Sequence, residues 1–453
     1  MTSTLIHGAD GIFTGLPGEA MRAHGSIRVA HGRIAAIGEL TAEPGERIVD
    51  ASGCVIYPGL VSTHHHLFQS VLKGVRGGIN LPLMGWLRAV PHAYWSEIGE
   101  EELYIAARIG LVELLLSGTT TAADHHYMFS DAYRFDPADV IFEAARDLGL
   151  RLVFCRGGGT VFRTFDAPGF KPVPTEPLDA MIKSVEACAQ RYHDPSPASM
   201  RRVAFAPTTP PWSVAPHELK VIAAAARGLG LRLHSHMSET ADYVDYCLAT
   251  FGKRPIHWIA EHDWLGPDVW FAHLVHIDAE EMRLLVETGT GMAHCPQSNC
   301  RLGSGVAPAD VMAAAGGAVS LAVDGAASNE SADMISEMHS AWHTHRAVKG
   351  AAAATVEDVV RWATVNGARV LGFPDIGVLA PGKLADLAIF DLASPRYFGL
   401  HDPLIGPVAG AGTADLKMLM VGGRIVVEDG AIPGFDLEQL RRDAARVVKR
   451  LVH

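Results

Sequence analysis

The stretch VIYPGLVSTHHH, residues 55–66, joins an apolar run to three consecutive histidines. A short apolar run broken by proline and glycine is typical of a buried strand. In an extended segment, residues i and i+2 point the same way, so His64 and His66 can contact one ion while His65 faces elsewhere. Neutral imidazole is a common ligand of zinc and other divalent metals. Taken alone, the run fits a metal site and a hydrogen-bonded polar loop equally well.

Further apolar segments follow this stretch and alternate with amphipathic helical patterns, several of which end at glycine. The strand candidates are TTTAAD (119–124), RLVFCRGG (151–158), RVAFAPT (202–208), LRLHSH (231–236), VWFAHL (269–274), TGMAHCP (290–296) and AVSLAVD (318–324). With the first segment, they give eight strand–helix units. This pattern predicts an α/β fold, a closed (β/α)₈ barrel of the TIM type. A doubly wound open sheet is the alternative, but no GxGxxG follows the first strand.

Both ends of the chain have a different texture, with short β-like segments punctuated by Gly, Asp and Asn. Examples are GSIRVAHGRIAAIG near the start and DLKMLMVGGRIVVEDGAI near the end, before a closing helical pattern. We therefore expect one small sheet domain assembled from both termini. Its predicted bounds are residues 1–57 and 371–453, and residues 58–370 form the catalytic barrel.

Composition excludes several classes of partner. The chain has 453 residues and a net charge of −12, whereas nucleic acids and anionic membranes favour a basic face. No apolar stretch reaches the roughly 20 residues that span a bilayer, and the amino terminus lacks the pattern of a signal peptide. Six cysteines without a CxxC pair indicate reduced thiols. These features predict a cytoplasmic protein with a small-molecule substrate and with neither nucleic-acid nor membrane partners.

Histidines and one aspartate recur where the predicted strands end, which in a barrel is the active-site face. They are His64 to His66, His125, His126, His234, His236, His273, His294 and Asp324. We predict that His64, His66, His236 and Asp324 hold one divalent metal ion, leaving one position for water. The fourth strand ends without a lysine that could bridge a second ion. His234 is expected to support the site rather than to bind the metal.

Two further residues have predicted catalytic roles. Glu239 follows His236 in HSHMSE, where a carboxylate can move a proton from the attacking water to the leaving group. His273 is expected to hydrogen-bond water or substrate, and Asp324 to orient the attacking oxygen as well as bind the metal. The chain has no GxSxG elbow or Walker loop, so nucleophilic and phosphoryl-transfer mechanisms have little support.

Together these motifs resemble the amidohydrolase superfamily. The resemblance covers nearly the whole chain and rests on PGLVSTHHH, the His236–Glu239 pair, His273, VDGAASN and GVLAPGKLADLAIFD. It implies a barrel with a small β-sandwich built from both termini. It also implies a mononuclear site at the four ligands named above, Glu239 as the proton shuttle, and a homodimer. Zinc is the first choice for the ion and Fe²⁺ the second, since His and carboxylate suit both.

Within the superfamily, the chain is similar to the branch that deaminates guanine, 8-oxoguanine and isoxanthopterin. Gln69 and Trp86 match residues that contact the bicyclic substrate in that branch, and HCPQSN and RYFGLHDPLIGPVA are most similar to isoxanthopterin deaminases. The arginine that guanine deaminases carry near the end of the fourth strand is absent from FAPTTP. Guanine is therefore disfavoured, and the group that takes over the role of that arginine stays open.

The resemblance implies a hydrolase of cyclic C–N bonds that releases ammonia through attack by metal-activated water. Isoxanthopterin or a related pterin is the expected substrate, and 8-oxoguanine is the first alternative. Hydrolysis of a chloro- or amino-triazine is a second alternative on the same ligands. A non-catalytic scaffold is a third, disfavoured because the chain keeps every predicted ligand together with Glu239.

Overall fold

The structure is a computed structural model that describes residues 3–163, 171–413 and 415–452. Within these ranges the middle of the chain forms a sheet of eight parallel strands in sequential order. The amino-terminal strands are β1 (Thr4–His7), β2 (Gly11–Phe13), β3 (Arg22–Ala23), β4 (Ser26–Ala30), β5 (Arg33–Gly38), β6 (Arg47–Asp50) and β7 (Cys54–Pro58). The parallel strands are β8 (Leu60–Ser62), β9 (Thr119–His126), β10 (Arg151–Arg156), β11 (Arg201–Phe205), β12 (Arg232–Met237), β13 (Val269–His273), β14 (Gly291–His294) and β15 (Ala318–Leu321). The last strands are β16 (Leu387–Asp391), β17 (Leu416–Val421) and β18 (Arg424–Glu428).

The parallel sheet closes into a barrel where the ends of β8 and β15 meet. Thr63 N donates to Leu321 O at 3.1 Å, and Asp324 N donates to His64 O at 3.1 Å. His65 and Asp324 form an isolated parallel bridge at the same place. The prediction of a (β/α)₈ barrel is therefore confirmed. Two of the predicted ligand residues, His64 and Asp324, lie at the closure.

Most helices follow the barrel strands in sequence, and the last two follow strands of the terminal sheets. They are α1 (Leu83–Ala89), α2 (Pro91–Tyr94), α3 (Glu100–Leu116), α4 (Pro137–Leu148), α5 (Leu178–Tyr192), α6 (Pro210–Ser213), α7 (Leu219–Gly228), α8 (Ala241–Phe251), α9 (Pro255–Ala260), α10 (Ala279–Thr288), α11 (Pro296–Arg301), α12 (Ala309–Ala314), α13 (Met334–Lys349), α14 (Val356–Arg361), α15 (Gly367–Leu371), α16 (Gly406–Gly410) and α17 (Leu437–Val452). None of the described helices is both long enough and apolar enough to cross a membrane.

Local sequence explains where the barrel helices begin and end. Asp278 caps α10 by accepting hydrogen bonds from Glu280 N and Glu281 N, and Gly289 ends the helix at φ +72°. Asp136 caps α4, and Gly149 ends it at φ +76°. An aspartate satisfies the free N–H groups of the first turn, and glycine adopts the left-handed end without steric cost.

The two faces of the barrel strands carry different side chains. Along β10, Leu152 and Phe154 belong to the large core shared with the helices, whereas Val153 and Cys155 belong to a separate cluster. That second cluster is rich in small residues from the other barrel strands, among them Ala204, Ala272 and Ala293. Because strand residues alternate between faces, these small side chains fill the barrel interior. They leave room for the imidazole rings at its rim.

The chain termini form two further sheets. One has the strand order β5-β4-β1-β6, and the other, β18-β17-β16-β7-β2-β3, joins strands from both ends of the chain. Their buried side chains share one cluster, which includes Ile6 and Ile27 from the first sheet and Ile56, Ile389 and Met418 from the second. The expected sandwich from both termini is thus observed, while the domain bounds given above stay a prediction.

Candidate active site

The carboxyl ends of the barrel strands bring the predicted ligands together. His66 Nε2 lies 3.1 Å from His236 Nε2 and 3.3 Å from Asp324 Oδ1, and His64 Nε2 lies 3.4 Å from the same oxygen. All four side chains are buried or nearly so. His65 points away, because its Nδ1 accepts a hydrogen bond from His66 N and its Nε2 faces Gly110. The alternation predicted for the HxH pair is therefore present.

Hydrogen bonds to carbonyl groups fix the protonation of two of these rings. His66 Nδ1 donates to His125 O at 2.7 Å, and His236 Nδ1 donates to Thr208 O at 2.6 Å. A carbonyl only accepts, so each Nδ1 carries the hydrogen and each Nε2 keeps its lone pair. Burial lowers the pKa of both rings and keeps them neutral. Two lone pairs therefore face each other across 3.1 Å.

A relay of two hydrogen bonds through His234 fixes the protonation of the third ring, that of His64. His234 Nδ1 donates to Trp270 O at 3.0 Å, which leaves His234 Nε2 as an acceptor. His64 Nδ1 donates to that acceptor at 2.7 Å, and its own Nε2 has no hydrogen-bond partner among the described residues. The expectation that His234 supports the site agrees with this geometry. Supporting hydrogen bonds of this kind are usual behind metal-ligating histidines.

The donor set fits a divalent cation. Three Nε2 lone pairs and one carboxylate oxygen converge, with no hydrogen available to any pair of them. Such an arrangement is unfavourable without a positive charge between the atoms, and sets of three or four imidazole and carboxylate donors are what zinc and Fe²⁺ bind. Potential ligand atoms of His64, His236, His273 and Asp324 all lie within 4.8 Å of one another, as do those of His64, His66, His125 and His236.

The predicted proton shuttle lies beside this cluster. Glu239 follows β12, and its Oε2 lies 3.6 Å from His273 Nε2. Burial raises the pKa of Glu239 to about 7, with the Asp324 charge adding to the increase and His273 opposing it. A carboxyl with a pKa near neutrality can both accept and release a proton at physiological pH.

Strained backbone conformations occur at the same rim. Ser238, His273 and Asp324 have φ values of +52°, +74° and +60°, a region that residues other than glycine rarely adopt. Each lies at or just beyond the end of a barrel strand. Strain of this kind persists where the surrounding structure holds it, and it is common at functional sites.

A cavity opens above the cluster and is lined by His66, His236, Glu239, His273 and Asp324. Both predicted substrate contacts, Gln69 and Trp86, also line it. Trp86 is fixed by a hydrogen bond from Nε1 to Ala327 O at 3.0 Å. Gln69 is buried, and its Oε1 has no hydrogen-bond partner among the described residues. The cavity therefore offers an apolar wall and a polar amide beside the donor cluster.

Other residues in or behind the cavity were not identified from the sequence. Tyr127 lines the cavity with its ring edge-on to His66, at a centroid distance of 5.1 Å, and follows the predicted histidines of β9 by one residue. Arg163 lines the cavity from the segment after β10, where its guanidinium lies over the Tyr246 ring and 3.5 Å from Asp242. Asn299 and Ser298 contact His273 and Asp324 from α11. HCPQSN was a motif of the resemblance, but no spacing rule showed which partner each residue would reach.

Comparison with known proteins gives concordant matches. A family model described as "Amidohydrolase family" matches residues 55–426. An isoxanthopterin deaminase from an unknown prokaryotic organism is 49% identical, over 99% of this chain and 97% of the relative. An 8-oxoguanine deaminase from Pseudomonas aeruginosa is 40% identical over 97% of both chains. The crystal structure of an atrazine chlorohydrolase from Arthrobacter aurescens TC1 complexed with zinc has a TM-score of 0.91 and 28% identity, covering 98% of this chain and 100% of that one.

Proposed function

The chain belongs to the amidohydrolase family, and from that premise we propose that it is a metal-dependent deaminase of an oxidised, amino-substituted bicyclic heterocycle. Isoxanthopterin or a related pterin is the proposed substrate, as in the relative that is 49% identical. One observation carries the proposal. The three Nε2 lone pairs and the Asp324 carboxylate converge at a cavity that also presents Glu239 and the buried amide of Gln69.

We propose His64, His66, His236 and Asp324 as the residues that hold the ion. A divalent ion bound there supplies Lewis acidity, lowering the pKa of water so that it can attack at neutral pH. Zinc is proposed first because a structural neighbour was crystallised with it, and Fe²⁺ second because the same donors suit it.

Glu239 is the proposed proton shuttle. It accepts a proton from the attacking water and delivers one to the exocyclic nitrogen, which then leaves as ammonia. Its buried position and its pKa of about 7 suit both steps. His273 faces Glu239 through Nε2 and is placed to orient the attacking oxygen.

Gln69 and Trp86 are the proposed substrate contacts. Gln69 Oε1 has no hydrogen-bond partner among the described residues, so it can accept from a ring N–H group of the substrate. Gly325 permits this placement, since a Cβ there would lie 1.9 Å from Gln69 Oε1. Trp86 gives the flat apolar wall that a planar bicyclic ring needs.

Two alternatives use the same ligands. Deamination of 8-oxoguanine is supported by the relative that is 40% identical. Hydrolysis of a triazine is supported by the high structural similarity to the atrazine chlorohydrolase, at the lower identity of 28%.

A substrate panel tests the proposal. Ammonia release is measured with isoxanthopterin, pterin, 8-oxoguanine and guanine, and chloride release with a chlorotriazine, on zinc-loaded protein. Glu239→Gln serves as the matched control for contaminating activity. We expect the highest kcat/KM with isoxanthopterin. No turnover of any bicyclic ring, with turnover of the triazine, would replace the proposed substrate class by the alternative.

We also propose that the chain forms a homodimer in the cytoplasm. The cysteines are unpaired and five of the six are buried, as expected in a reducing compartment. Light scattering coupled to size-exclusion chromatography tests the dimer, for which the family resemblance is the support.

A further inference from the structure

The short helix α11 places two adjacent polar side chains behind the site. Ser298 and Asn299 are both fully buried, and α11 follows β14 by one residue. Neither side chain is among the residues that line the cavity. Ser298 forms a hydrogen bond with the proposed ligand Asp324, and Asn299 forms one with His273.

Ser298 holds the far oxygen of Asp324. Its Oγ donates to Asp324 Oδ2 at 2.6 Å, and Ser328 Oγ lies 3.0 Å from Ser298 Oγ and 3.3 Å from the same carboxylate oxygen. The other oxygen, Oδ1, accepts from Gly325 N at 2.7 Å and faces His64 and His66. With Oδ2 occupied by hydroxyl groups, the carboxylate presents one oxygen to the histidines.

Asn299 holds His273 from the side away from Glu239. The Asn299 Oδ1 atom lies 2.9 Å from His273 Nδ1, while Nε2 of the same ring faces Glu239. An amide oxygen only accepts, so Nδ1 carries a hydrogen and donates it to Asn299. This hydrogen bond turns the opposite edge of the ring, with Nε2, toward the Glu239 carboxyl.

We propose that α11 is a positioning element in which Ser298 sets the orientation of the Asp324 carboxylate and Asn299 sets the tautomer and orientation of His273. The Asn299 part rests on the proposed function, since it concerns turnover. The Ser298 part does not, because it concerns retention of the ion. Buried partners of metal ligands commonly change metal affinity by about 10- to 100-fold when they are removed.

Metal retention tests the role of Ser298. Loss of zinc to a colorimetric chelator is followed for the native protein, Ser298→Ala and Ser320→Ala. Ser320 is an equally buried serine that donates to Met292 O, so it controls for the loss of a buried hydroxyl as such. We expect Ser298→Ala to lose zinc about tenfold faster or more and Ser320→Ala to match the native protein. Equal retention in all three proteins, or equal loss in both variants, would overturn the proposal.

A pair of substitutions tests the role of Asn299. Asn299→Asp keeps an acceptor oxygen of the same shape, whereas Asn299→Leu removes it. For the substrate with the highest native turnover, we expect Asn299→Leu to lower kcat by on the order of 100-fold with KM within about twofold and zinc retained. Asn299→Asp should instead keep most of the native kcat. An equal loss in both variants, or a native kcat in Asn299→Leu, would refute the tautomer argument.

The two assays separate this inference from the proposed function. If the native protein turns over neither a bicyclic ring nor a triazine, the proposed function fails, and zinc retention in Ser298→Ala alone then decides whether α11 positions the site.

Discussion

Replacing Glu239 with glutamine should stabilise the metal-free protein at alkaline pH. The same substitution should remove most of the turnover of the zinc-loaded protein. The carboxyl is buried beside Asp324, and both features disfavour its ionised form. Glutamine has nearly the same shape and carries no charge. It therefore relieves the cost of ionisation, but it cannot carry a proton from water to the leaving group.

The size of the effect follows from the raised pKa. In the unfolded chain the carboxyl has its ordinary pKa of 4.5, and in the folded protein burial raises it to about 7. The contribution of Glu239 to the free energy of unfolding is therefore fully present below pH 4.5, and it is lost as the pH rises through about 7. The difference between the two pKa values corresponds to about 3 kcal/mol in the free energy of unfolding.

Urea unfolding of metal-free native protein and Glu239→Gln at pH 5 and pH 8 measures this difference. The difference in free energy of unfolding between Glu239→Gln and the native protein should increase by about 2 to 3 kcal/mol from pH 5 to pH 8, in favour of the variant. Glu280→Gln, at an exposed glutamate, should show no such growth. With zinc bound, Glu239→Gln should keep the metal and lose about 10² to 10⁴ in kcat. Identical pH dependence in native and variant proteins, or a near-native kcat, would refute the reasoning.

Three further predictions concern the donor cluster and the cavity. His64→Ala and Asp324→Ala should each lower the zinc content after dialysis, as elemental analysis would show, because each removes one of four donors; full retention would exclude that residue as a ligand. His234→Ala should weaken zinc affinity by about 10- to 100-fold in a competition titration, since His64 loses the acceptor that fixes its tautomer, and an unchanged affinity would contradict the relay. Gly325→Ala should raise KM for bicyclic substrates severalfold with zinc content unchanged, because the new Cβ would lie 1.9 Å from Gln69 Oε1 and displace it; a native KM would argue against Gln69 as a contact.

Much of the fold could be predicted from local patterns. The segment VWFAHL became β13 and AVSLAVD became β15, since short apolar runs bounded by turn residues have few other uses in an alternating chain. The association of the two termini could also be predicted, because both ends of the chain carry short β-like segments separated by Gly, Asp and Asn. In each case the deciding information lies within a few residues of the element itself.

Site residues could be predicted where the two-residue repeat of a strand, or a position at a strand end, marks them. His64 and His66 lie on one side because of the two-residue repeat of an extended chain, which sequence shows directly. Hydrogen-bond partners such as Thr208 for His236, or Asn299 for His273, depend on how neighbouring strands and loops pack. No spacing rule encodes those contacts, so the protonation of the rings could be derived only from the structure.

The closure of the barrel has a consequence for the order in which the protein opens. Residues 64 and 324 are joined there by a backbone hydrogen bond, and the proposed ion would add a second link between the same two chain positions. Such a link closes a loop of some 260 residues, much as a crosslink would, and its release frees the first and last barrel strands from each other. In the metal-depleted protein, amide hydrogen exchange should therefore accelerate first along the seam between β8 and β15 and last in the interior strands β10 to β12.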